Sequence, residues 1–178
     1  MKKVILITGA SSGIGKDTAL SLIKEGHVVY GVARRLEMMK DIVQAGGHAI
    51  KMDILKERNI DDVVNQIIKE QSRVDVLINN AGYGLWGAVE TISIDEARRQ
   101  FDVNIFGLAY LTKKIIPIMR KQKSGKIINM SSMGGKVYTP FGAWYHATKY
   151  ALEGWSDCLR IELKSFGIDV ILIEPGVI

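Results

Sequence analysis

With 178 residues, 47% of them hydrophobic and 24% charged, the chain has the size of one domain with a sizeable core, which excludes a disordered or fibrous protein. The single Cys158 excludes an internal disulfide framework and a cysteine zinc site, and no apolar run reaches membrane-spanning length. The net charge of +5 comes from 24 basic residues scattered among 19 acidic ones, so solvated faces are expected rather than a nucleic-acid surface, and the excess suits an anionic cofactor.

Apolar runs and amphipathic stretches alternate along the chain. KVILIT (3–8) reads as a buried strand and is followed by a helix over about 13–25. The opening MKKVILITGA is too short and Gly-rich for a secretory signal, so a cytoplasmic protein is expected. HVVYGVA (27–33) reads as a strand, then a helical stretch runs to about Ala45. HAIKMD (48–53) is a short strand, and ERNIDDVVNQIIKE (57–70) a helix with Ile60, Val63, Val64, Ile67 and Ile68 on one side. VDVLINN (74–80) is a strand, a long helix covers about 95–122, and GKIINMS (125–131) is a fifth strand. A helix over about 143–166 and the strand IDVILIEP (168–175) complete the pattern. Continuous apolar strands alternating with helices predict an α/β fold of three layers, a doubly wound, Rossmann-type parallel sheet covered on both faces. The chain reads as a single dinucleotide-binding and catalytic domain, 1–178. Its stop at a Pro-Gly turn suggests a truncated C-terminal end, with a last strand and substrate loop missing.

The turn TGASSGIG (8–15) links the first strand to the first helix. Gly9, Gly13 and Gly15 let the backbone turn tightly and approach a ligand closely. A helix N-terminus offers free N–H groups and a positive dipole end to a pyrophosphate, and Ser11 and Ser12 add hydroxyls beside Ile14. The spacing differs from G-x-G-x-x-G, and the G-K-[ST] of a nucleoside triphosphatase is absent. A dinucleotide is the expected ligand. At the end of the second strand, GVARRLE has Ala33 where a carboxylate would hold a ribose 2′-hydroxyl. Arg34 and Arg35 are suited to a 2′-phosphate, which favours NADP(H) over NAD. Arg34 is the better placed of the two, with Arg35 expected to point away.

TGASSGIG, NNAG (79–82), Asn104 in FDVNIFG, NMSS (129–132), YHATK (145–149) and EPG (174–176) occur in this order. With these motifs the chain resembles the short-chain dehydrogenase/reductase family across its whole length. The stretch from Tyr145 to Gly176 is similar to the branch containing steroid- and retinol-type dehydrogenases. The resemblance implies a nicotinamide-dependent interconversion of a small-molecule carbonyl and an alcohol. It implies Tyr145 as the acid–base residue, Lys149 as its modulator, Ser132 as the carbonyl-orienting hydroxyl and Asn104 as the holder of a proton-relay water. It further implies that Asp53 and Ile54 lie by the adenine, that Asn80, Ala81 and Gly82 line the cofactor groove, and that Pro175 and Gly176 face the nicotinamide. Tyr145 and Lys149 would touch the cofactor as well.

The chemistry is coherent apart from the resemblance. Carbonyl reduction needs a hydride and a proton for the developing alkoxide. A free phenol, with a pKa of about 10, is a poor donor near neutrality; an ammonium one helical turn away stabilises its phenolate. Taken alone, a Tyr–Lys pair at this spacing is an ordinary surface pair, and Ser131–Ser132 an ordinary turn or helix cap. Together with the glycine turn they read as a site. Gly107 in FDVNIFG predicts a local helix irregularity that exposes a carbonyl to water. His146 is expected to point away from Lys149. Trp86, Tyr138, Phe141 and Trp144 suggest an apolar, bulky substrate. On the 143–166 helix, Ala147, Ala151, Gly154, Cys158 and Ile161 form one stripe, and Leu152, Trp155, Leu159, Leu163 and Phe166 another. One should pack on the sheet; the other should meet the neighbouring helix and a second subunit, in a homodimer or homotetramer. The alternatives are a catalytically silent dinucleotide-binding regulator or scaffold of the same fold and, ranked below it, an epimerase or dehydratase.

Overall fold

In the computed structural model, which describes residues 1–176, the strands are β1 (Val4–Thr8), β2 (Val28–Ala33), β3 (His48–Lys51), β4 (Val76–Asn79), β5 (Gly125–Met130) and β6 (Ile168–Ile173). They form one sheet in the order β3-β2-β1-β4-β5-β6, with every pairing parallel. This is the doubly wound order, and its direction reverses between β1 and β4. The helices are α1 (Gly13–Lys24), α2 (Lys40–Gln44), α3 (Glu57–Gln71), α4 (Ile94–Phe101), α5 (Leu108–Gln122) and α6 (Ala143–Leu163). Among the described residues, no helix is long and apolar enough to cross a membrane.

Alternation along the strands divides the core in two. Leu6, Tyr30, Val32, Leu77, Ile127 and Val170 pack on one face against Ile60, Val63 and Ile67 of α3, Leu111 and Ile115 of α5, and Leu159 and Leu163 of α6. Ile5, Ile7, Val29 and Ile78 pack on the other face against Ala19 of α1 and Ile42 of α2. The interior at β4 and β5 is polar by design: Asn79 Nδ2 donates to Thr112 Oγ1 and to Asn129 Oδ1, both at 2.9 Å. Asn129 Nδ2 continues to Ser156 Oγ at 2.9 Å. Buried donors of this kind cost stability unless paired, so the chain specifies how α5 and α6 sit on the two strands.

The predicted long helix is broken in two. Asp102–Gly107 form a π-helical turn between α4 and α5, the irregularity expected in FDVNIFG. Gly107 permits it, because a Cβ there would lie 2.6 Å from the Ile54 carbonyl oxygen. α4 opens on a capping box, with Ser93 Oγ accepting from Glu96 N at 3.2 Å and Glu96 Oε2 accepting from Ser93 N at 3.0 Å. On α6 the two stripes separate cleanly. Leu152, Leu159 and Leu163 are buried and Trp155 is half-buried, whereas Ala147, Ala151, Gly154, Cys158 and Ile161 are all exposed. Phe166 falls in a short 3-10 turn after the helix and is largely exposed, so it does not extend the buried stripe.

Candidate active site and dinucleotide cleft

The carboxyl ends of parallel strands form a crevice where the strand order reverses. Here the two walls are the turn after β1 and the segment after β4. They are stitched by Thr8, whose Oγ1 accepts from Asn80 N at 3.0 Å and from Ala81 N at 2.9 Å. The Asn80 amide is spent on the same seam, donating to the Thr8 carbonyl at 3.0 Å and the Gly9 carbonyl at 3.3 Å. Gly9, at φ +69°, makes the turn, and Gly13, at φ +54°, lets the chain enter α1. Gly15 serves packing, since a Cβ there would sit 2.3 Å from Asn80 Nδ2 and 2.6 Å from the Gly9 carbonyl oxygen. Gly13 and Gly15 therefore shape the turn that forms the floor of this site.

A cleft of about 360 Å3 runs over this seam, lined by Gly9, Ser11, Ser12, Ile14, Arg34, Asp53, Ile54, Asn80, Ala81 and Gly82, the residues expected there, and by Arg35. Ser12 caps α1 without using its side chain, so its hydroxyl remains available to a ligand. Asp53 Oδ1 accepts from Leu55 N at 3.1 Å, which fixes the turn after β3. Arg35 departs from expectation. It turns into the cleft, where its Nη2 donates to Ser11 Oγ at 3.3 Å, and Arg34 lines the same wall. Sequence reasoning also missed Arg99 of α4, a third guanidinium on this cleft, because only the fold brings α4 beside the β2 end.

The cleft continues into a second compartment of about 220 Å3, which shares Ile14, Asn80, Gly82 and Tyr83 with the first and is lined by Ser131, Ser132, Tyr145, Lys149, Pro175 and Gly176. Three elements deliver these groups. Ser132 follows β5, and its Oγ accepts from Gly134 N at 3.0 Å, leaving the hydroxyl hydrogen free to donate. Tyr145 stands on the first turn of α6, its ring 5.6 Å from that of Trp86. Lys149 lies one turn further, 7% exposed, with Nζ donating to the Met130 carbonyl at 2.6 Å and lying 5.8 Å from the Tyr145 ring centre. Burial pushes the Lys149 ammonium down to about 8, against the opposing pull of the Glu153 carboxylate. Pro175 follows β6, and its carbonyl accepts from Met133 N at 2.9 Å, which joins the EPG turn to the Ser132 loop.

Asn104 stands behind this wall rather than on it. Its Oδ1 accepts from Tyr83 N at 3.1 Å, and its Nδ2 donates to the Tyr83 carbonyl at 3.0 Å and to Thr148 Oγ1 at 3.1 Å. Both amide hydrogens are used, so the side chain holds the Tyr83 backbone and α6 in place. Thr148, unremarked in the sequence, completes the link by donating to the Tyr145 carbonyl at 2.8 Å. Of the four aromatic residues assigned to a pocket, Trp86, Tyr138 and Phe141 are exposed, and Trp86 packs on Tyr145. Trp144 instead faces an apolar groove with Ile94, Phe101 and Phe106.

A Rossmann-type sheet with a glycine turn at its switch point and a Ser–Tyr–Lys set on the same crevice defines the class: a doubly wound α/β protein with the site at the carboxyl ends of its strands. The short chain dehydrogenase family model matches residues 3–178, and the chain belongs to the short-chain dehydrogenase/reductase family of oxidoreductases. It is 44% identical over 174 residues to a 3-ketodihydrosphingosine reductase of Bacteroides thetaiotaomicron, a match that covers 98% of this chain and 63% of that protein. Among solved structures, a metagenomic short-chain oxidoreductase in complex with NADP superposes with a TM-score of 0.92 at 33% identity, over 98% of this chain and 82% of the other. The 3-ketoacyl-(acyl-carrier-protein) reductase of Brucella melitensis, complexed with NADH, superposes with a TM-score of 0.94 at 33% identity, over 98% and 75%. The chain thus spans under two thirds of the length of the first curated relatives it matches.

Proposed function

We propose that residues 1–178 form the catalytic domain of an NADP(H)-dependent oxidoreductase that interconverts a carbonyl and a secondary alcohol. The observation that carries this reading is the convergence of Ser132, Tyr145 and Lys149 on a compartment continuous with the glycine-turn cleft. The residues present fit a dinucleotide. The free Ser12 hydroxyl and the α1 N-terminus suit a pyrophosphate, and the arginines suit a further phosphate. When bound, the nicotinamide exchanges the hydride; the protein handles orientation and the proton. Ser132 donates to the substrate oxygen, a contact that strengthens as charge develops there. Tyr145 gives its phenolic proton to that oxygen, or takes it back in the oxidative direction. Lys149, buried, sets its ammonium 5.8 Å from the Tyr145 ring centre, on the side of the site where charge develops as the proton moves. A relay water fits the backbone of the π-helical turn at Asn104. Titration of the complete protein with NADPH and NADH, followed by a screen of carbonyl substrates with Tyr145→Phe as control, tests the reading. Turnover that survives in the variant overturns it.

The NADP preference rests on Arg34 and Arg35 together. Replacing both by Ala is expected to raise KM for NADPH by roughly 10- to 100-fold and leave KM for NADH nearly unchanged, the size of one or two charge-assisted hydrogen bonds. Equal effects on both cofactors would refute the assignment. The substrate proposed is an apolar carbonyl compound, because the exposed Trp86 ring packs on Tyr145. The exposed Ala147–Ile161 stripe of α6 supports self-association. The complete protein is expected to run at the mass of a dimer or tetramer in multi-angle light scattering, and a monomer would dispose of this.

A further inference from the structure

His146 adjoins Tyr145 in sequence, yet it faces away from the cleft and is buried. A buried imidazole needs partners on both nitrogens, and this one has them. Nε2 accepts from Thr139 N at 3.1 Å, with Thr139 Oγ1 also at 3.0 Å. A backbone N–H only donates, so Nε2 carries the lone pair and Nδ1 the hydrogen. Nδ1 therefore donates to the Gly134 carbonyl, 2.8 Å away. The N–H of that same Gly134 holds Ser132 Oγ at 3.0 Å. Gly134 is thus gripped at its carbonyl by His146 and grips Ser132 with its amide.

The grip matters because the segment is Met133-Gly134-Gly135. Two successive glycines have no side chains to limit their backbone, and their ordering is entropically costly. Gly134 also has no spare room. A Cβ there would lie 3.0 Å from His146 Nδ1 and 3.2 Å from Tyr145 Cε1, so its backbone is wedged between the two rings. Consecutive residues on one helical turn thus do two jobs. Tyr145 sends its ring into the cleft, and His146 fixes the loop that carries the serine.

We propose that His146 is a positioning residue that registers the Ser132 hydroxyl against the Tyr145 phenol, acting through Gly134. The assignment rests on the functional reading above, in which Ser132 and Tyr145 act together on a carbonyl. A misplacement of about 1 Å in such a pair costs on the order of 100-fold in rate.

Steady-state kinetics of the complete protein with NADPH and a carbonyl substrate test it. His146→Gln and His146→Ala both lose the bond to Gly134, whereas an Asn amide nitrogen reaches the Nδ1 position and keeps it. The expected result is a kcat lowered about 10-fold or more in His146→Ala and His146→Gln, restored to within about 3-fold by His146→Asn, with KM for NADPH unchanged throughout. In a Ser132→Ala background, His146→Ala should cost less than about 2-fold further, because the group it positions is already gone. An Asn variant no better than Gln, or a full additive loss in the Ser132→Ala background, overturns the assignment while leaving the functional reading intact. If His146→Ala does not fold, the comparison of Asn with Gln decides alone. Tyr145→Phe turning over at the wild-type rate defeats the functional reading, and this assignment with it.

Discussion

Tyr145→Phe is expected to lower kcat by about 1000-fold and to leave NADPH affinity within about 3-fold of wild type, the range typical of losing a positioned general acid. The substitution is clean. The ring packs against Trp86 at 5.6 Å and against the Gly134 backbone, and a phenyl ring keeps both contacts. Only the O–H is removed. Cofactor affinity, followed by quenching of tryptophan fluorescence on NADPH binding, provides the internal control. A proportionate loss of binding and turnover would mean that Tyr145 holds the cofactor rather than the proton. A silent scaffold of the same fold would show no turnover to lose.

Lys149→Met separates activity from stability. The ammonium is buried, its pKa is pushed down to about 8 from the usual 10.5, and its hydrogen bond to Met130 is short at 2.6 Å. Keeping it charged at neutral pH costs on the order of 3 kcal/mol relative to an exposed lysine. Loss of the partner of the Met130 carbonyl costs about 1–3 kcal/mol in the other direction. The variant is therefore expected to melt at the wild-type temperature or a few degrees above it, while kcat falls by roughly 100-fold. The sign of the pH dependence follows from proton counts. Between about pH 8 and the usual lysine value of 10.5, the unfolded chain holds a proton that the folded chain has released. Stability contributed by this site therefore rises with pH across that window. Denaturant unfolding at several alkaline pH values should show the rise in wild type and not in Lys149→Met. An identical pH dependence in both proteins would mean that Lys149 is not the group responsible.

The two largest effects thus fall on residues that are neighbours on one helix, and this is why they were legible. Tyr145 and Lys149 are four apart, and helical geometry alone puts them on one side. The glycine turn was legible for a similar reason. Positive φ at Gly9 and Gly13 and close packing at Gly15 are demands of local backbone that few other residues meet. The parallel sheet followed from the alternation of apolar runs, whose period does not depend on what packs against them. Even the break at Asp102–Gly107 was signalled by an Asn and a Gly inside a helical pattern.

Reading failed where a side chain had two destinations of similar local cost. Arg35 could leave the sheet in either direction, and Ser11, 24 residues away, is what it meets inside the cleft. The partners of the Asn104 amide are equally hidden from the sequence: Tyr83, and Thr148 44 residues distant. Of the aromatic residues read as one pocket, Trp144 turned to a different groove. His146 points away from Lys149 as expected, but its partner there, Gly134, is supplied only by the fold.

The amino-acid sequence by itself determined the doubly wound sheet, the glycine turn after β1 and the helical pairing of Tyr145 with Lys149, since each is written in residues close along the chain or in a periodic pattern. The tertiary structure alone decided which polar groups remain free for a ligand and which are consumed in holding the walls. That division depends on hydrogen bonds between distant segments, and a buried donor or acceptor takes whichever partner the packed fold supplies.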